Sequence, residues 1–185
     1  AYDRMGGLEG AIGRWADEVI RRLDDTAEMH AAIDRVILDL GTLDPDTGTT
    51  IARTIVLDTQ TQSDTSRRVF DAFANARLVV LDTAGQLRTA RVAHEAVLNK
   101  WPGAIELFLR QRNSVKLRDR LEQQATDWLQ NKMDAAVILR PGRPIEEARA
   151  LLADGTISIS KNVQDYIRAS LAGAADELEK EKRKV

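Results

Sequence analysis

The stretch from Leu78 to Val92 constrains this chain most, because it reads as a β-hairpin within a sequence otherwise spaced for helices. Leu78-Val79-Val80-Leu81 suits a strand, Asp82 to Gln86 carries turn residues around Gly85, and in Leu87 to Val92 the side chains of Ala90 and Val92 share one face. Upstream, Ile12, Trp15, Ala16, Val19, Ile20 and Leu23 recur at helical spacing after Gly6-Gly7. Asp25 and Glu28 predict a capping box for a second helix that carries Met29, Ile33, Val36, Ile37 and Leu40 and stops at Gly41. The turn-rich Asp44 to Gly48 leads to Thr50 to Asp58, a β-branched stretch that predicts a short strand. After polar residues Thr59 to Ser63, a third helix over Asp64 to Ala76 would bury Val69, Phe70, Phe73 and Ala76.

Two helices, a strand, a third helix and a hairpin follow one another in the order of a winged helix. The expected fold is therefore mainly α: a winged helix of three helices plus a small β-hairpin wing over residues 1–102, then a helical extension over 103–185. A helix starting near His94 places Val97, Leu98 and Trp101 together and breaks at Pro102, which cannot continue the hydrogen-bond ladder. From Ala104 to Met133 the spacing is helical, with Asn113-Ser114 its weakest point. Pro141-Gly142-Arg143-Pro144 reads as a linker, Pro144 opens a helix that Gly155 ends, and Ser160 caps a last helix. That helix carries a narrow stripe of Val163, Ile167, Ser170 or Leu171, Ala174 and Leu178, and ends in a run of charge from Glu179 to Lys184.

Charge and composition exclude several functions. With 27 Lys and Arg against 29 Asp and Glu, nothing draws the molecule as a whole to phosphate backbones or anionic membranes. The absence of cysteine removes disulfides, zinc-thiolate sites and thiol nucleophiles, and makes the cytoplasm the expected compartment. No apolar run approaches the roughly 18 residues of a membrane span. The chain begins Ala1-Tyr2-Asp3, which suggests a piece of something longer.

The sequence contains no P-loop, no HExxH and no acidic metal-binding loop, so neither catalytic nor metal-ligating residues are expected, and catalysis by this chain alone is not expected. His94 stands where the last wing strand meets a helix, where free amides and an imidazole favour an anion; the plainer alternative is that it caps the helix. His30 reads as a surface residue. Arg67, Arg68 and Arg77 flank the third helix, which would enter the major groove in a DNA-binding winged helix, but Asp64 and Asp71 share that stretch, so nucleic acid is disfavoured as a partner. Trp15, Trp101 and Trp128 read as core anchors.

These segments resemble the region that follows the P-loop ATPase in the novel STAND NTPases, a group of signal-transduction ATPases. The resemblance rests on Tyr2, Gly6-Gly7-Leu8 and Gly10-Ala11-Ile12, then on Ala76-Arg77-Leu78-Val79. It is most specific in Arg91-Val92-Ala93-His94-Glu95-Ala96-Val97-Leu98 with Lys100-Trp101-Pro102, and it extends to Trp128 and to Tyr166-Ile167 with Ser170. It implies that Ala93-His94-Glu95 is the counterpart of a methionine-histidine-aspartate motif and that His94 senses the phosphate of ADP in the intact parent. Ala93 and Glu95 depart from that motif, and the family's paired arginines before the third helix appear only as Ala52-Arg53-Thr54. It also implies an upstream ATPase domain that binds ADP or ATP with Mg, downstream sensor repeats such as WD repeats, and homo-oligomerisation on activation. The competing expectations are DNA binding through residues 64–77 and a dimerisation module built on the stripe from Val163 to Leu178.

Overall fold

The computed structural model describes residues 7–57 and 62–184; expectations resting on Tyr2, Gly6, the Leu8 side chain, Asp58 and residues 59–61 lie outside them. The described residues are mainly helical with small antiparallel sheets. They form two compact units, Ala1–Val115 and Lys116–Val185.

In the first unit, α1 (Gly7–Arg21) buries Ala16 and Val19. Trp15 is 41% exposed, which corrects its place as a core anchor. Its indole N–H donates to the Ala76 carbonyl at 2.9 Å and the Arg22 guanidinium stands over its ring, so its polar edge and ring face are satisfied at the surface. In α2 (Ala27–Asp39) the cap is Thr26, not Asp25: its extended backbone lets Oγ1 accept the Met29 N–H at 3.1 Å. Asp25 instead pairs with the exposed His30 at 2.6 Å, and Glu28 accepts from the Thr65 hydroxyl, so the expected capping box does not form. Met29, Ile33, Val36, Ile37 and Leu40 are all buried, as their spacing requires.

The single strand expected over Thr50 to Asp58 is two. β2 (Thr50–Ala52) pairs with β1 (Gly41–Leu43) around the Asp44 turn, while β3 (Ile55–Leu57) joins another sheet. The Arg53 N–H donates to the Leu40 carbonyl at 3.0 Å and extends the β1–β2 pairing one residue past the strand, so the division falls at Arg53-Thr54, before β3 begins. The Asp44 carboxylate accepts the N–H groups of Thr47 and Asp46, which hold its carboxyl below the ordinary carboxylate range.

Helix α3 (Asp64–Asn75) is capped by Ser63 and buries Val69, Phe70 and Phe73. It ends through Arg77 in the left-handed region, φ 60°, with the Leu78 N–H closing on the Phe73 carbonyl at 2.9 Å. The expected hairpin follows as β4 (Val79–Ala84) and β5 (Leu87–Val92), joined at Gly85, whose φ of +65° suits a residue without a Cβ. The sheet order is β3-β5-β4, with Val79, Ala90 and Val92 buried and Val56 exposed. α4 (Ala96–Asn99) is only one turn, and Pro102 opens α5 (Pro102–Arg110), so the proline both stops one helix and starts the next. The long helical stretch breaks at Gln111 rather than at Asn113-Ser114, giving α6 (Arg112–Gln130). The Gln111 backbone opens to φ −100°, ψ 15° after its N–H has closed on Leu107.

The second unit packs residues of α6 with α7 (Arg143–Asp154) and α8 (Lys161–Lys184) around Leu121, Trp128, Ile145, Tyr166 and Ile167. Pro144 sits in the first turn of α7, Gly155 ends it at φ +72°, and the Ser160 hydroxyl accepts the Val163 N–H. Tyr166 and Ser170 both grip residues 137–139: the Tyr166 hydroxyl donates to the Val137 carbonyl at 3.1 Å, and the fully buried Ser170 Oγ accepts the Leu139 N–H at 3.1 Å. Ser170→Ala strands that amide without a partner and is expected to cost about 1–3 kcal/mol, read as a lower urea midpoint at unchanged m-value. A midpoint equal to the parent's would show that another group satisfies Leu139.

Candidate functional site

The residues after β5 are positioned by backbone bonds on one side and by apolar anchors on the other. The Ala93 N–H donates to the Leu78 carbonyl at 2.9 Å, which extends the β4–β5 pairing one residue past the strand. The His94 and Glu95 carbonyls then accept from Val97 and Leu98. Ala96, Val97 and Leu98 are buried, whereas Ala93, His94 and Glu95 are exposed, so the three motif residues are held at the surface by the three that follow.

His94 Nδ1 accepts the Ala96 N–H at 3.1 Å. A ring nitrogen that accepts carries no proton, so the neutral imidazole carries its proton on Nε2, where it can donate outward. The ring thus does what the plainer expectation asked of it, satisfying an early amide of α4, and keeps its second nitrogen available. Glu95, by contrast, makes no capping bond to the helix it precedes.

Trp101-Pro102 ties this segment to α1. The Trp101 indole N–H donates to Asp17 Oδ1 at 2.7 Å, and Trp101 is 2% exposed. A Cβ placed on Gly13 would lie 3.3 Å from Pro102 Cδ and 3.5 Å from Trp101 Cα, so the missing side chain lets α1 approach the Trp-Pro step. Neither Asp17 nor Gly13 stood out in the sequence. The available signals were that a buried indole needs an acceptor and that a glycine inside an amphipathic helix marks a close approach.

The other candidate residues serve elsewhere. Arg67 pairs with Asp64 at 3.1 Å and Arg68 with Asp24 at 2.8 Å, so two of the three arginines around α3 are already engaged by carboxylates. In α8 the stripe residues Val163, Ile167 and Ser170 are buried among the second unit's own residues, while Leu178 is 54% exposed. No group of three or more His, Asp or Glu side chains fit to hold a metal occurs among the described residues, and no described helix is long and apolar enough to cross a membrane.

Comparison with curated proteins and with solved structures found no match. A family model does match: Novel STAND NTPase 1, over residues 1–136. That span takes in the Ala93 to Pro102 block and Trp128 and stops before Tyr166-Ile167 and Ser170. Because the match covers well over half of the sequence, the chain belongs to the Novel STAND NTPase 1 family.

Proposed function

We propose that this chain is the regulatory arm of a STAND-type signalling NTPase, in which His94 contacts the phosphate of bound ADP and helps hold a closed state. The observation that carries the reading is the His94 ring itself: exposed, fixed through Nδ1 by the Ala96 amide, and presenting Nε2–H as a donor. A donor of that kind suits a phosphate oxygen. The order of helices in the first unit and the β3-β5-β4 sheet support describing it as a winged helix, with the Gly85 turn as its wing.

In this reading the chain has no catalysis of its own. An upstream P-loop ATPase domain supplies the ADP or ATP site and its Mg, and sensor repeats such as WD repeats lie downstream. Exchange of ADP for ATP biases a two-state arm, homo-oligomerisation follows on activation, and the compartment is cytoplasmic. The ion pairs of Arg67 and Arg68 favour this over DNA reading by α3.

The test is ADP retention by the full-length parent. His94→Ala removes one charge-assisted hydrogen bond and is expected to raise the ADP dissociation rate about tenfold, with activation in the absence of the trigger. His94→Gln, which restores an N–H donor, is expected to recover part of the retention. Unchanged ADP retention and no autoactivation in His94→Ala would sink the proposal.

A further inference from the structure

Of the three arginines around α3, Arg77 differs from the other two. It is exposed, and its side chain makes no hydrogen bond or ion pair among the described residues, whereas Arg67 and Arg68 are held by Asp64 and Asp24. Its backbone is fixed on both sides. The Arg77 N–H donates to the Ala74 carbonyl at 3.0 Å, the Trp15 indole holds the preceding carbonyl of Ala76, and the Leu78 N–H closes on Phe73. The φ of 60° favours glycine, so a cation occupies a position that the backbone alone would give to a residue without a side chain.

The β4–β5 register sets Arg77 beside His94. Val79 faces Val92, and the Ala93 N–H donates to the Leu78 carbonyl at 2.9 Å, so Leu78 and Ala93 form the last pair of the hairpin. Arg77 and His94 are the next residues out on its two sides. Facing Cα atoms in such a pair are about 5.5 Å apart and chain neighbours about 3.8 Å, which places the Arg77 and His94 Cα atoms within about 13 Å of each other. An arginine side chain, an imidazole and a phosphate between them span that gap. The exposed charges that flank His94, Arg91 and Glu95, are opposite in sign, so Arg77 leaves the segment net positive.

We infer that Arg77 is a second phosphate-binding residue, which together with His94 takes the terminal phosphate of a nucleoside diphosphate. This role rests on the reading of His94 as a phosphate contact, and it supplies what one imidazole lacks. A terminal phosphate carries close to two negative charges and three acceptor oxygens, and His94 offers it a single N–H. The guanidinium adds a fixed positive charge and a planar fork that meets two phosphate oxygens at once. A nucleoside monophosphate ends one phosphate short of the pair, so the two residues favour the diphosphate.

Nucleotide binding by the full-length parent tests this. Arg77→Gln is expected to raise the ADP dissociation rate at least about tenfold and, in equilibrium competition, to lower the preference for ADP over AMP by a similar factor. Arg77→Lys, which keeps the charge but not the fork, is expected to fall between. Arg77→Gly removes the side chain and suits the backbone, so it is expected to lose ADP as Arg77→Gln does with an unfolding midpoint no lower than the parent's. Unchanged ADP retention in Arg77→Gln beside rapid release in His94→Ala removes Arg77 from the site and leaves the reading of His94 standing. Unchanged retention in both sinks both. Equal weakening of ADP and AMP, or loss of ADP only in variants whose unfolding midpoint falls, also overturns the assignment.

Discussion

Trp101→Ala is expected to lower the stability of the first unit by about 3–5 kcal/mol, among the largest losses any single side chain here can cause. Two effects add. The indole is 2% exposed, so truncation leaves a cavity beside Gly13 and Gly103, whose lack of side chains reflects how closely the ring is approached. Asp17 also loses the donor at 2.7 Å that its carboxylate accepts. Trp101→Phe separates the effects: it keeps most of the packing, loses the hydrogen bond, and is expected to cost about 1–3 kcal/mol. Urea unfolding followed by far-ultraviolet circular dichroism measures both. If the phenylalanine variant were as unstable as the alanine variant, the hydrogen bond rather than the packing would carry the anchor. The consequence reaches His94, because Ala96, Val97 and Leu98 lie between it and Trp101, and loosening the anchor frees the segment that presents the imidazole.

Gly41→Val is expected to cost about 3 kcal/mol, the upper part of the range for overpacking. Gly41 opens β1, and a Cβ there would lie 2.6 Å from Phe108 Cζ, 3.1 Å from Thr50 Cγ2 and 3.2 Å from Leu98 Cδ1. Phe108 and Leu98 are 2% and 1% exposed, so neither can swing into solvent to make room. The position does not need the glycine for its backbone, since its φ is not in the positive range; it needs the absence of a side chain. Gly41→Ala should fall part-way, and Phe108→Leu should relieve part of the valine penalty, a coupling that a double-mutant cycle measures. Additive losses would mean that Phe108 is not what the new side chain meets.

What was readable from the sequence was what depends on neighbours along the chain. The hairpin of β4 and β5, the buried faces of α2 and α3, the stop at Gly155 and the Ser160 cap follow from local periodicity, turn residues and capping chemistry. The resemblance carried by Ala93 to Pro102 likewise needed only the order of residues, and the family match over residues 1–136 bears it out at the level of the family. Errors gathered where two local choices were nearly equal. Asp25 and Thr26 are both good caps, and the β-branched stretch after Thr50 has no local signal for its break, because Ile51 and Ile55 find their strand partners in different sheets.

Tertiary structure alone decided how these pieces answer one another. It turned Trp15 outward, made Gly41 a contact point for Phe108, and gave Trp101 an acceptor 84 residues away in Asp17. The bond that fixes the His94 ring, from the Ala96 amide two residues on to Nδ1, is by contrast local. The sequence on its own determined most of the helices, the β4–β5 hairpin and the block that marks the family, because those depend on spacing and chemistry within a few residues. Partners distant along the chain are chosen by packing and by the need to satisfy every buried polar group, and these act only once the chain has closed on itself.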